Sequence, residues 1–126
     1  MNTLVCYCDG GYRREEGTGY GSFRIYDETS DIVKRESFSV VTSSVDAEYQ
    51  AFISLLTYIV EHYPVDSSII VYSDSKVMVN HINSLWLVSA DNLIPYYQLA
   101  ISIFTKFTNR AIIWIPRKQI VKELGH

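Results

Sequence analysis

Tyr7-Cys8-Asp9-Gly10-Gly11 is the stretch whose reading decides the fold. It closes a run of β-forming residues that begins at Thr3, and it ends on a carboxylate followed at once by two glycines. The run predicts a strand over residues 3–9, with Leu4, Cys6 and Cys8 on one face and Val5, Tyr7 and Asp9 on the other. A strand that ends in an acid and turns through glycine holds the acid on rigid backbone, with room beside it for a ligand. Whether Asp9 marks a site then depends on which other acids the chain brings to the same place.

Outward from this stretch, residues 12–18 read as a polar loop, and Gly19-Tyr20-Gly21 leads into a second strand over 20–26. The turn cluster Asp27 to Ser30 separates it from a third strand over 32–41, so two hairpins are expected. Ser43-Ser44 offers an N-cap to a helix over 45–62, whose apolar stripe is Phe52, Leu55, Leu56 and Ile59. Ser68 to Tyr72 is a short, nearly all-apolar run, as in a strand covered on both faces. Ser75 can cap a short helix through Asn83. A helix over 91–107 accepts Pro95 in its first turn, Ala111 to Ile115 reads as a last buried strand, and a short helical stretch follows from Lys118. The order β-β-β-α-β-α-α-β implies one α/β domain over residues 1–126. Its mixed five-stranded sheet would have three antiparallel strands, then two parallel, with helices on both faces.

Three acids can converge on this scaffold. Asp9 ends the first strand and Asp74 follows the fourth, at the carboxyl edge where such sheets place ligands. Glu48 lies four residues before Phe52, continuing the three-or-four spacing of the apolar stripe, so it faces the sheet near the start of its helix. A carboxylate so placed needs a partner. No Arg or Lys in the buried strands offers one; a divalent cation shared with Asp9 and Asp74 would serve. Other roles exist for each acid: Glu48 suits a helix start, Asp74 can cap the next helix, and Asp9 can serve a Gly-Gly turn.

Composition bounds these readings. The chain has 126 residues, 48% hydrophobic and 20% charged, as in a globular protein that buries a real core. No window approaches the roughly 18 apolar residues of a membrane span, and no secretory signal is seen, so a cytoplasmic protein without a membrane partner is expected. Cys6 and Cys8 share a strand face and read as small core residues. Net charge is -3, which is unusual for a nucleic-acid binder, although acids gathered to hold cations lower the formal charge.

Cys8-Asp9-Gly10-Gly11, Ala47-Glu48-Tyr49-Gln50-Ala51, Tyr72-Ser73-Asp74-Ser75 and Trp114-Ile115-Pro116-Arg117, in this order, resemble the ribonuclease H family, and in particular its small type 1 members. The resemblance covers nearly the whole chain. It implies hydrolysis of the RNA strand of an RNA–DNA hybrid with two Mg²⁺ ions, or Mn²⁺, held by Asp9, Glu48 and Asp74, with Asp9 bridging both. Gly10, Gly11, Arg13, Ser44 and Arg117 are the matching candidates for nucleic-acid contact.

The chain departs from the family's pattern in three places. The family's fourth Asp falls on Leu124, and the Asn that precedes it falls on Ile120. His126 is the expected substitute as fourth catalytic and metal-binding residue, with Glu123 the other nearby ligand type. The two Asn residues that touch the RNA sugar correspond to Ser44 and Val45; only Ser44 can donate to a 2′-hydroxyl. No basic helix for holding the hybrid is seen; Arg13, Arg14, Arg117, Lys118 and Lys122 are the basic residues expected near the carboxyl edge. These departures keep two other functions in view: a nuclease of this fold acting on another nucleic acid, and a non-catalytic binding module.

Overall fold

The central strand β1 (Thr3–Arg13) does not stop at Asp9 in the computed structural model, which describes residues 3–64 and 66–125. It runs straight through Gly10 and Gly11, neither of which takes a positive φ. The Gly-Gly pair is therefore mid-strand, and its missing side chains are explained by close neighbours. A Cβ on Gly10 would stand 2.2 Å from the Ala47 carbonyl oxygen, and one on Gly11 would meet the Tyr20 ring at 2.1 Å. Protein fills the room that the sequence assigned to a ligand.

The remaining elements are β2 (Thr18–Tyr26), β3 (Asp31–Phe38), α1 (Ser44–His62), β4 (Ser68–Ser73), α2 (Lys76–Ile82), α3 (Ile94–Phe104), β5 (Arg110–Trp114) and α4 (Arg117–Leu124). The sheet has the order β3-β2-β1-β4-β5. β1–β2 and β2–β3 are antiparallel, and β1–β4 and β4–β5 are parallel, as the element order implies.

Helices cover both faces. Phe52, Leu55, Leu56 and Ile59 of α1 are fully buried in one core with Leu4, Cys6, Phe23, Ile25, Ile69 and Val71. Burying one such large side chain contributes about 1.5–3 kcal/mol, so the α1 stripe dominates this layer. Cys6 and Cys8 are free and buried; burial pushes the Cys6 thiol up to about 12 and the Cys8 thiol well above its ordinary range, which suits inert core residues. α4 crosses the opposite face through buried Ile120 and Leu124. Gly125 ends it in the left-handed conformation (φ 77°), and Arg35 Nη2 donates to the Leu124 carbonyl at 3.1 Å.

Two expectations change. β5 is an edge strand, not a buried one: Ile112 is covered, whereas Ile113 and Trp114 are 42% and 43% exposed. The α3 helix is shorter than 91–107, with Pro95 in its first turn and turns on either side. Among the described residues, no helix is long and apolar enough to cross a membrane.

Candidate active site

β4 ends at Ser73 while its parallel neighbour β1 continues to Arg13, and the last paired rung between them is Tyr7 with Tyr72. Asp9 thus stands on β1 just past the end of its neighbour's pairing, and Asp74 is the first residue beyond β4. Glu48 comes from the second turn of α1. Its arrival depends on Gly10, because the α1 backbone at Ala47 and Glu48 lies where a Cβ on Gly10 would be. Ser43 caps α1 by accepting from the Asp46 N–H at 3.1 Å, as the Ser43-Ser44 pair predicts.

The acids share one electrostatic site. The side chains of Asp9 and Asp74 are 1% and 7% exposed, so both carboxylates are largely stripped of water. Burial raises the Glu48 carboxyl to about 7, and the charges of Asp74 and Asp9 add to the rise; a hydrogen bond from Ser75 and the charge of Arg117 oppose it. The remaining partner is Arg117, at the start of α4. Its Nη1 lies 3.0 Å from Asp74 Oδ2 and 3.4 Å from Asp9 Oδ2. The acids therefore do have a cationic side chain, supplied by the helix after β5 rather than by a strand.

One guanidinium against three carboxylates leaves the site short of positive charge. Hard oxygen donors in that condition suit divalent cations of the Mg²⁺ class, and Arg117, 59% exposed, is a movable cation already standing between two of them. In the present arrangement, no group of three His, Cys, Asp or Glu side chains among the described residues is gathered around a single ion position.

The other roles open to these acids are not the ones observed. Ser75, not Asp74, caps α2, accepting from the Met78 N–H at 3.3 Å. Asp9 serves no turn, since β1 continues past it. Glu123 pairs with Arg24 at 2.8 Å, on the rung where Arg24 faces Tyr7, and so is committed away from Asp9 and Asp74. Leu124, at the position of the family's fourth Asp, is packed in the core at 2% exposure. His126 lies outside the described residues. Of the candidates for nucleic-acid contact, Arg117 joins the acids and Ser44 is exposed as the first residue of α1. Arg13 donates to Gly19 O at 3.3 Å and lies 5.1 Å from the Tyr20 ring centre. Gly10 and Gly11 are overlain by Ala47 and Tyr20.

Three residues support the site in ways a reading of the sequence by type does not give, although the Ser75 cap itself was expected. Ser75 both caps α2 and hydrogen-bonds Glu48. The Trp114 indole donates to the Asp74 carbonyl at 3.2 Å and pins the turn that carries the carboxylate. Asp46, buried at 2%, accepts from the Thr42 N–H, the Thr42 hydroxyl and Gln50 Nε2, each at 2.8 Å. The signal for Asp46 was its spacing: four residues from each partner, around a capping serine.

A family model described as reverse transcriptase-like matches residues 7–122, which include all three acids. Among solved structures, the N-terminal RNase H domain of Rv2228c from Mycobacterium tuberculosis, determined as a fusion with maltose-binding protein, superposes with a TM-score of 0.85 at 22% identity. That match covers 97% of this chain and 88% of the other. RNase H1 from the halophilic archaeon Halobacterium salinarum gives 0.78 at 19% identity, covering 94% and 89%. LC11-RNase H1, solved in complex with an RNA/DNA hybrid, gives 0.78 at 22%, again covering 94% and 89%. At these identities the structures establish a shared fold.

Proposed function

The chain belongs to the ribonuclease H family, within its reverse transcriptase-like group, and from that footing we propose that it is a divalent-metal-dependent endonuclease that hydrolyses the RNA strand of RNA–DNA hybrids. The observation that carries the reading is the electrostatic coupling of Glu48 to Asp9 and Asp74, three acids delivered by different elements, with Asp9 and Asp74 paired to the same Arg117 guanidinium. LC11-RNase H1, which has the same fold, binds a hybrid.

Asp9, Glu48 and Asp74 would hold Mg²⁺ or Mn²⁺. When bound, such ions supply the Lewis acidity that activates water and steadies a leaving oxygen in phosphodiester hydrolysis. The chain's own residues do the positioning. The Gly10–Ala47 contact sets the height of Glu48, Ser75 aims its carboxyl, and Trp114 fixes the Asp74 turn. Arg117 balances the buried charge of Asp9 and Asp74; swinging outward, its guanidinium would meet an incoming phosphate instead. Ser44, exposed at the start of α1, would donate to a 2′-hydroxyl. No described residue takes the place of the family's fourth Asp, so His126 is proposed for that role.

A substrate panel tests this function. Hybrid, RNA duplex, DNA duplex and single strands are incubated with the protein and Mg²⁺ or Mn²⁺. Cleavage confined to the RNA strand of the hybrid supports the reading. Equal rates on the other duplexes would transfer the chain to a nuclease of different substrate. Inertness of folded protein on every substrate would leave a binding module.

A further inference from the structure

A cavity of about 450 Å³ opens on the sheet beside the acids, lined by Arg13, Tyr20, Ser22, Arg35 and Ser37 among others. The register places it. Ser22 is the cross-strand partner of Asp9, and Arg35 is the partner of Ser22. Paired residues share a sheet face, so the cavity lies on the face that carries Asp9 and α4. Neighbouring strands are about 4.8 Å apart, which puts the Arg35 backbone about 10 Å from that of Asp9.

The charges here are uncommitted. Among the described residues, Arg24 is paired with Asp31 and Glu123, and Arg117 with Asp9 and Asp74, whereas neither Arg13 nor Arg35 makes an ion pair. Arg13 is fixed by one bond to Gly19 O and by the Tyr20 ring, and Arg35 by one bond to Leu124 O. Each keeps further N–H donors for the cavity. Glu36 of β3 also borders the cavity, but its carboxylate alternates to the other face and accepts from Ser54 of α1. Two oriented guanidiniums with serines beside them form an anion site, and Arg forks match phosphate oxygens in particular.

We propose that the Arg13–Tyr20–Arg35 pocket binds a second backbone phosphate of the nucleic acid, on the order of 10 Å from the one at the acids. The proposal rests on the reading of the chain as a nucleic-acid-cleaving domain, and it explains how a chain of net charge -3 grips a polyanion: the positive charge is local and prepositioned. The pocket sets register, not sequence preference, since phosphate contacts carry no base information.

Fluorescence anisotropy tests it, on the same four nucleic acids, in EDTA so that nothing is cleaved, across a salt series. For the nucleic acid bound best, the variant with both Arg13→Ala and Arg35→Ala is expected to bind several-fold more weakly, with a salt slope about 1 unit shallower. Lys34→Ala, which removes a charge from the opposite face of β3 where Lys34 sits over Tyr58, is expected to leave the slope unchanged. Arg35→Lys, with circular dichroism confirming the fold, is expected to keep the slope and lose part of the affinity. An unchanged slope in the folded double variant overturns the pocket while hybrid cleavage by wild type still stands. So does equal loss in Lys34→Ala, or no binding of any nucleic acid by wild type. If wild type binds a different nucleic acid through the two arginines, the pocket stands and the hybrid substrate falls.

Discussion

Arg117 Nη1 stands 3.0 Å from Asp74 Oδ2, so the cation that balances the site is carried by the chain itself. It also reaches Asp9 at 3.4 Å. Any metal ion entering between these acids competes with it. Arg117→Ala is therefore expected to bind Mn²⁺ several-fold more tightly than wild type in calorimetry without nucleic acid. The same variant is expected to bind nucleic acid less well, because it loses a phosphate contact. Unchanged or weaker Mn²⁺ affinity in the folded variant would refute the competition.

Gly10 sets the distance between β1 and α1. A Cβ there would stand 2.2 Å from Ala47 O and 2.7 Å from Glu48 N, both backbone atoms that cannot turn aside. Gly10→Ala is expected to destabilise the fold by about 1–3 kcal/mol or more in urea titration, and to displace Glu48. Metal affinity should fall with it. Gly17→Ala, where no atom lies within 4 Å of the added Cβ but φ is 65°, should destabilise while leaving metal affinity unchanged.

Glu48 makes stability depend on pH. Burial and the neighbouring acids raise its carboxyl from 4.5 to about 7 in the folded chain. Between those values the unfolded chain has released a proton that the folded chain keeps, so this group's contribution falls as pH rises from about 4.5 through 7, then levels. Glu48→Gln is expected to remove that fall in EDTA and to be more stable than wild type at pH 8, by up to about 3 kcal/mol. A parallel pair of stability curves would contradict the raised carboxyl.

Asp46 holds the approach to α1. Removing its carboxylate takes the acceptor from the Thr42 N–H and hydroxyl and one acceptor from Gln50, which keeps the Val40 carbonyl. Asp46→Ala is expected to cost about 1–3 kcal/mol in denaturant titration. Metal affinity per folded molecule should be little changed, which separates this acid from Glu48 two residues on.

Much of this was legible before the structure. The apolar stripe of α1 follows from its helical period and the hairpins from alternation and turn residues, while the parallel return of β4 follows from the order of elements. Asp9 and Glu48 could be singled out because alternation along β1 and the apolar stripe of α1 assign the face of each, and Asp74 because it follows directly on β4. What periodicity does not encode is close approach between elements. Gly10 and Gly11 read as a turn, since glycine's local signal is conformational freedom, yet here their role is to have no side chain under Ala47 and Tyr20. Arg117 read as a base near the carboxyl edge for nucleic-acid contact, not as the partner of the acids, because its pairing with Asp9 spans 108 residues. The exposure of β5 reflects its place at the sheet edge, which its apolar run could not announce.

The most direct test of the central claim, that Asp9 anchors a metal-dependent site for cleaving RNA in a hybrid, is single-turnover cleavage of a hybrid with a labelled RNA strand. Wild type and Asp9→Asn, both shown to be folded, are compared with Mn²⁺ and with EDTA. RNA-strand products are expected from wild type with Mn²⁺ and none with EDTA, with a loss of at least about 10²-fold in Asp9→Asn. Cleavage by Asp9→Asn at the wild-type rate, or none by wild type with either Mg²⁺ or Mn²⁺, would contradict the claim.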